Sequence, residues 1–291
     1  MTGRLAGRHV ALIGAGYAAV EFARQAMAAG ARVSATCRDA RRAESLAAAG
    51  IAPLDASPGH LAPGTLAGVT DVLASTPPGE AGCPGLALAA PGLAGARLDW
   101  IGYLSSTAVY GNCGGDWIDE TRPPAPQTAD ARGRLIAEAG WSKLAAATGA
   151  GYDILRIAGI YGPGRNLLTL LRAGQGRAVD KPGQVFNRIH RDDIAGATLA
   201  AMSAPQQERL TNLADGNPCS TVELMSGVAR MLNLPAPAIL PWDPASLPPG
   251  MAAFYAENRR LRNDRLLALP GFGLRFPDWQ AGYRAIIADA P

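Results

Sequence analysis

The chain has 291 residues, 48% of them apolar and 18% charged, which suits one large globular domain with a smaller lobe. Its formal net charge of +3 is too small to argue for nucleic acid or a membrane surface as a partner, and no block of like charges is long enough to read as a tail. Residues 1–8 hold two arginines and no apolar run. No later segment holds about eighteen clean apolar residues, so neither a signal peptide nor a membrane span is expected and the chain reads as cytoplasmic. Cys37, Cys83, Cys113 and Cys219 are far apart and form no CxxC, and the chain has three histidines. We expect reduced thiols and no metal site.

Over the first 160 residues, short β-rich runs alternate with Ala-rich stretches. Strands are predicted at 9–13, 32–36, 51–54, 71–74, 100–104 and 153–157, and helices at 17–29, 40–49, about 84–93, and 132–148. Strict alternation of this kind implies an α/β fold of right-handed βαβ units around a doubly wound parallel sheet. After Ile160 the pattern breaks into Tyr-Gly-Pro-Gly, a basic loop around Arg172 and Arg177, a helix near 193–203, and a strand at 210–213 that returns to the sheet. The Pro-rich stretch 235–250 reads as extended loop, with helices predicted after it at 252–269 and 279–288. These late pieces are too small for a core of their own and should close over the carboxyl edge of the sheet. The expected division is residues 1–164, with 186–213 returning, as the nucleotide-binding domain, and 165–185 with 214–291 as a small C-terminal substrate-cap region.

The buried run 10–13 leads directly into Gly14-Ala15-Gly16-Tyr17-Ala18-Ala19. Gly14 permits a tight turn, Gly16 lets the backbone approach a pyrophosphate at a helix N-terminus, and Ala19 fills the third small position where helix and strand pack. GxGxxA recurs by chance in Gly/Ala-rich chains, and a tight turn without ligand is the alternative. Its place between strand and helix reads as the dinucleotide loop of a Rossmann-type domain, with Gly14, Gly16, Tyr17, Ala18 and Ala19 at the cofactor. The second strand ends Thr36-Cys37-Arg38-Asp39, with Arg41 and Arg42 close behind. A guanidinium at Arg38 would grip a 2′-phosphate in bidentate fashion and offer a bare ribose less, so NADP is expected over NAD. Asp39 is placed as the N-cap of the next helix, or alternatively as the acid that binds ribose.

Residues 103–111 read YLSSTAVYG, 155–164 read LRIAGIYGPG, and 188–195 read RIHRDDIA. Together these resemble the extended short-chain dehydrogenases of the NAD-dependent epimerase/dehydratase family. GAGYAA, STPPG (75–79), YLSSTAVYGNCGGDWIDE (103–120), TNLADGNP (211–218) and FYAENRRLRNDRLL (254–267) are similar to its atypical, YeeZ-like branch. The resemblance runs over nearly the whole chain with the motifs in order. Expected cofactor contacts on this basis also include Asp55, Ser75, Thr76, Pro77, Ile157, Ala158 and Gly159.

The resemblance implies a Ser or Thr at the end of the fifth strand that hydrogen-bonds a substrate carbonyl; here that is Ser106, with Thr107 beside it, unless the hydroxyl only caps the strand. The family's Tyr-x-x-x-Lys pair, in which Lys lowers the phenol pKa for general acid/base work, is missing, since no tyrosine lies between Glu120 and Tyr152. Matching Ala137-Glu138 to the family's Ala-Glu puts Asp130 at the Tyr position and Arg134 at the Lys position. The rival match through Gly140-Trp141-Ser142-Lys143 leaves too little helix before the sixth strand. Arg134 suits ribose hydroxyls but cannot shuttle protons, and Asp130 with Arg134 also reads as a plain i,i+4 ion pair. Tyr110 and Tyr161 are substitute acids in motifs where the family's aromatic mainly packs. Thr107-Ala108 stand where the dehydratase branch has Asp-Glu, which argues against a sugar 4,6-dehydratase.

Arg165, Arg172 and Arg177 are expected around the substrate cleft, either binding a phosphate or carboxylate or simply solvated. His190 and Asp193 should fix a loop-to-helix turn, and Arg259, Arg260, Arg262 and Arg265 should lie on a solvated helix face. Two functions follow. One is an NAD(P)-dependent oxidoreductase or epimerase acting on a small hydroxyl or carbonyl compound, anionic or sugar-like. The other is a catalytically silent NADP-binding sensor like the NmrA-like proteins. A small molecule is the expected partner, with a homodimer allowed.

Overall fold

The computed structural model of the protein describes residues 5–79, 82–247, 252 and 254–290. Its frame is a seven-stranded sheet of β1 (His9–Ile13), β2 (Arg32–Cys37), β3 (Ala52–Asp55), β4 (Asp71–Ala74), β5 (Trp100–Ser106), β6 (Gly151–Ile157) and β7 (Arg209–Leu213). The strands run parallel in the order β7-β6-β5-β4-β1-β2-β3. The expected strands are present with ends shifted by one or two residues, and the segment at 209–213 does return to the sheet. The chain crosses over between β1 and β4, and in open α/β sheets that reversal opens a crevice at the strands' carboxyl ends. Gly14, Ser75, Ser106 and Ala158 each lie at or just past such an end.

The middle strands read as unbroken apolar runs because both faces are covered. On one face α1 (Tyr17–Ala28) and the helix Arg191–Ser203 bury Phe22, Ala23, Ala26, Ile194, Ala197 and Met202 against β1. Their small side chains let the two helices approach closely. On the other face the helices Pro84–Ala89 and Ala129–Thr148 pack Leu88, Ala89, Trp141 and Ala145 against β4 and β5. The helix 129–148 starts three residues earlier than predicted because Thr128 caps it, accepting from the Ala131 N–H at 3.1 Å. It ends where Gly149 turns left-handed at φ 72°, a conformation that costs glycine little. The helix predicted over 84–93 stops at Ala89.

Three two-stranded parallel pairs tie the late chain to the early chain. They are Gly159–Tyr161 with Arg188–His190, Arg177–Asp180 with Ala238–Pro241, and Trp117–Ile118 with Arg260–Leu261. The second puts a strand inside the Pro-rich stretch, where only loop was expected. The third overturns the helix predicted over 252–269: in that stretch 260–261 is strand and the helix Asp264–Leu267 is a single turn. Here tertiary pairing overrides local propensity. Asn258 O accepts from the N–H groups of Cys113 and Gly115, and the Arg260 N–H donates to Asp116 O.

The late pieces also contribute to a separate core. Trp279, Tyr283 and Ile286 of the helix Trp279–Ala288 bury against Tyr161, Leu168, Leu224 and Val228. Among the described residues no helix is long and apolar enough to cross a membrane, and no group of three or more His, Cys, Asp or Glu could hold a metal. All four cysteines are buried and free.

Candidate functional site

Three adjoining clefts open along the carboxyl edge of the sheet. The first, about 400 Å³, lies between the Gly14-Ala15 turn and the end of β2, and Arg38, Arg42, Thr76 and Pro77 line it. The second, about 320 Å³, runs from Gly16–Ala19 past Ser75 and Ser106 to Arg134, Ile157, Ala158 and Gly159. The third, about 640 Å³, continues from Ser106, Thr107 and Thr128 under the C-terminal pieces as far as Arg188, Phe254, Glu257 and Arg259. All but one of the expected cofactor contacts lie on the first two.

Gly14 has φ +95°, and a Cβ there would stand 2.9 Å from Thr76 Cγ2 and 3.0 Å from the Thr76 backbone nitrogen. The turn is held by the Gly14 N–H donating to Thr36 Oγ1 at 2.9 Å and by the Ser75 hydroxyl donating to Gly14 O at 2.7 Å. Gly16 differs, because a Cβ there would meet no protein atom within 4 Å. The fold itself does not require glycine at 16, but a pyrophosphate drawn against the backbone would. The N-terminus of α1 has no side-chain cap, so its first N–H groups remain available to an anion. These features fit a dinucleotide. The Tyr17 hydroxyl donates to Pro163 O at 2.7 Å with the Arg191 guanidinium 5.0 Å over its ring, pinning the Tyr-Gly-Pro-Gly loop beside this turn.

At the end of β2, Asp39 is the N-cap, accepting from the Arg42 N–H at 2.8 Å. Arg38 stands exposed at the mouth of the first cleft, while half-buried Arg42 donates through Nη2 to the carbonyl of Ala15. Asp55 is a correction. It is exposed and accepts from the Ser57 N–H at 2.8 Å, and the Ser57 hydroxyl and then its N–H hold the carboxyl below the usual range. Ala56 takes its place in the cleft wall.

Ser106 belongs to both the second and the third cleft. Its Oγ accepts from the Ala108 N–H at 3.2 Å, capping a short 3₁₀ turn over Thr107–Tyr110. Thr107 is buried with its hydroxyl donating to Ile157 O at 3.4 Å. Arg134 reaches the second cleft, but Asp130 does not. Asp130 pairs with Arg134 at 3.2 Å and leaves its side chain 59% exposed. Sequence matching thus put Asp130 at a position whose side chain faces solvent. Tyr110 lines none of the three clefts and donates to Asn212 Oδ1 at 2.8 Å. Tyr161 lines the third, but burial pushes its phenol far above its ordinary pKa.

Arg165 lines the second and third clefts, whereas Arg172 and Arg177 are exposed and line none of the three. His190 caps the helix 191–203, its Nδ1 accepting from the Asp192 N–H at 3.2 Å, and burial lowers its pKa to about 4. Asp193 accepts from the backbone N–H groups of Arg275 and Phe276 at 2.8 and 3.0 Å, and burial lifts its carboxyl to about 6. Both fix the turn, as expected. Arg188 and Arg259, not assigned to the site from sequence, line the third cleft. The signal was present, since both lie in quoted motifs. The helix predicted over 252–269 would have turned Arg259 outward. Instead it donates to Gly111 O at 2.6 Å and pairs with Glu257 at 2.7 Å.

The parallel sheet, the glycine turn at its switch point and a hydroxyl at the end of β5 define the architecture of a short-chain dehydrogenase. No family model matches the chain. Protein YeeZ of Escherichia coli K12 is 34% identical over 143 residues, which are 48% of this chain and 49% of YeeZ, so the match spans about half the length of that curated relative. A solved conserved protein of unknown function from Silicibacter pomeroyi is 38% identical, with a TM-score of 0.89 over 98% of this chain and 99% of that one. A putative NAD-dependent epimerase/dehydratase from Methylobacillus flagellatus is 26% identical, with a TM-score of 0.66 over 98% of each chain. The chain thus has a Rossmann-type fold similar to that of the NAD-dependent epimerase/dehydratase proteins, and about half of it is similar in sequence to YeeZ.

Proposed function

We propose that the chain is an NAD(P)-dependent oxidoreductase or epimerase acting on a small hydroxyl or carbonyl compound, with residues 165–185 and 214–291 as its substrate cap. The observation that carries this reading is the position of Ser106 on the wall shared by the second and third clefts. A nicotinamide placed in the second and a substrate in the third would meet at this hydroxyl. The chemistry a nicotinamide supplies there is two-electron transfer to or from a carbon. The chain's own part is to hold and orient. Gly14, Gly16 and the start of α1 cradle the pyrophosphate, Arg134 faces the ribose, and Ser106 donates to the substrate oxygen.

We propose NADP as the cofactor. Among the described residues the first cleft is lined by Arg38 and Arg42 and by no carboxylate, since Asp39 is engaged as a cap and Asp55 with Ser57. Losing either guanidinium contact should weaken NADPH by roughly 1.5–3 kcal/mol and NADH little.

The sensor reading rests on a different observation. Asp130 and Tyr110 line neither cleft that holds Ser106, and Tyr161 is buried with its phenol pushed far up, so none of the three offers a ready proton donor there. Calorimetry with NADPH and NADH, then a carbonyl and sugar-nucleotide panel followed at the nicotinamide absorbance, separates the two. Tight NADPH binding without turnover on any panel member, unchanged by Ser106→Ala, favours the sensor.

A further inference from the structure

The chain has two fully buried arginines among the described residues, and they are treated in opposite ways. Arg156 is held by both oxygens of Glu138, at 3.1 and 2.8 Å. Arg188 is 9% exposed and has no carboxylate within 4.0 Å among the described residues. Its protein bonds all leave from Nη1, to Phe186 O at 2.9 Å, to Cys219 O at 3.4 Å and to Cys219 Sγ at 3.1 Å. Nε and Nη2 make none to the described residues, and the residue forms part of the wall of the third cleft. Asp215 lies within the field of Arg188, but burial lifts its carboxyl to about 7, so it offsets the guanidinium only in part. A buried cation bonded only to neutral acceptors is costly unless something pairs it.

The rest of that cleft states the other half of the ligand. Phe186 and Phe254 stack at 4.3 Å with their planes 6° apart, and both line the cleft with Leu224 and Tyr283. We propose that the third cleft takes an organic oxyanion with an aromatic or apolar body, its carboxylate or phosphate paired to Arg188 and its body against the Phe186–Phe254 wall. This names the substrate class of the reading above and rests on that cleft being the substrate site.

The test is calorimetry on the full chain, with and without saturating NADPH. The probes are phenylpyruvate, phenyl phosphate, the neutral acetophenone, and UDP-glucose. Phenylpyruvate, phenyl phosphate or both should bind at least tenfold more tightly than acetophenone, and which of them binds assigns the head group. Arg188→Gln should weaken the anion on the order of 10- to 100-fold, the range expected for one lost charge-assisted bond, and Arg188→Lys should restore part of it. NADPH affinity and the melting curve of each variant control for folding. Equal binding of acetophenone, binding of UDP-glucose alone, no binding of either anion, or unchanged anion affinity in a folded Arg188→Gln protein would each overturn the proposal. Anion binding through Arg188 in a protein that binds neither NADPH nor NADH would keep this inference and sink the nicotinamide reading.

Discussion

Arg156 and Glu138 form a buried two-point ion pair behind β5, and the Ser105 hydroxyl donates to the same carboxylate at 2.6 Å. The residue next to Ser105 is Ser106, so this pair braces the strand end from which the candidate catalytic hydroxyl projects. Tyr152 adds a bond to the Glu138 carbonyl at 2.8 Å. Removing one partner strands the other charge in the interior. Glu138→Ala should therefore cost about 3–5 kcal/mol in urea unfolding, with Glu138→Met plus Arg156→Met costing clearly less than the single change. Equal losses in the single and double variants would show that the charge was not the cause.

Gly14 and Gly16 should fail in different ways. Gly14→Val forces a side chain into Thr76 at φ +95° and should lower the melting temperature. A Cβ at Gly16 meets no described protein atom within 4 Å, so Gly16→Val should melt like the parent while binding NADPH roughly 100-fold more weakly or not at all. A folded Gly16→Val protein with parental affinity would remove the pyrophosphate from this turn.

The cofactor preference is tested at Arg38 and Arg42. Changing each to Ala should cost NADPH roughly 1.5–3 kcal/mol and leave NADH nearly unchanged. If the parent protein binds NADH at least as tightly as NADPH, the assignment of these guanidinium groups to a 2′-phosphate is wrong.

Ser106→Ala should reduce turnover sharply and leave NADPH affinity unaltered, because on the proposed reading the hydroxyl meets the substrate, and it makes no bond to the glycine turn. Positioned acid/base groups are worth roughly 100- to 10,000-fold. A chain without the family's tyrosine should accordingly turn over slowly or on a narrow substrate range.

Asp215 predicts a pH dependence of stability. Its Oδ1 accepts from the Asn217 N–H at 2.9 Å, its Oδ2 has no partner, and burial raises the carboxyl to about 7. The folded protein thus keeps a proton that the unfolded chain releases near pH ~3.9. The contribution is full below about pH 4 and is lost as pH rises through about 7. His190 acts in the opposite sense. Held neutral down to about pH 4, it contributes above about pH 6.5 and loses that contribution as pH falls through about 4. Asp215→Asn should therefore gain stability relative to the parent by on the order of 2–4 kcal/mol between pH 4 and 8. A pH-independent difference would mean that Asp215 titrates normally.

The sheet was readable in the sequence because each strand is a short apolar run bounded by turn residues, and 9–13 leading into the glycine turn marked where the first strand ends; the strand order, and with it the switch point, had no local mark. The first cleft was readable for the same reason, its residues lying next to strand ends. Asp55 was misplaced because a strand-end acid and an exposed turn acid look alike until the Ser57 bond is seen. Asp130 was placed by matching one helix to another, which says nothing about where the first turn projects. Arg188 and Arg259 escaped because the third cleft is built by pairings between residues far apart in the chain, for which sequence has no local mark.

Those distant pairings set an order of assembly. All seven strands of the sheet have been made once Leu213 is joined, whereas Arg259 and the strand that pairs with Trp117 come only as synthesis reaches Leu261. At roughly 5–20 residues per second, a nascent chain spends several seconds with its sheet able to close and the outer wall of the third cleft not yet made. The glycine turn is thus finished before the chamber beside it, so the clefts proposed for the cofactor exist before the one proposed for the substrate is walled in.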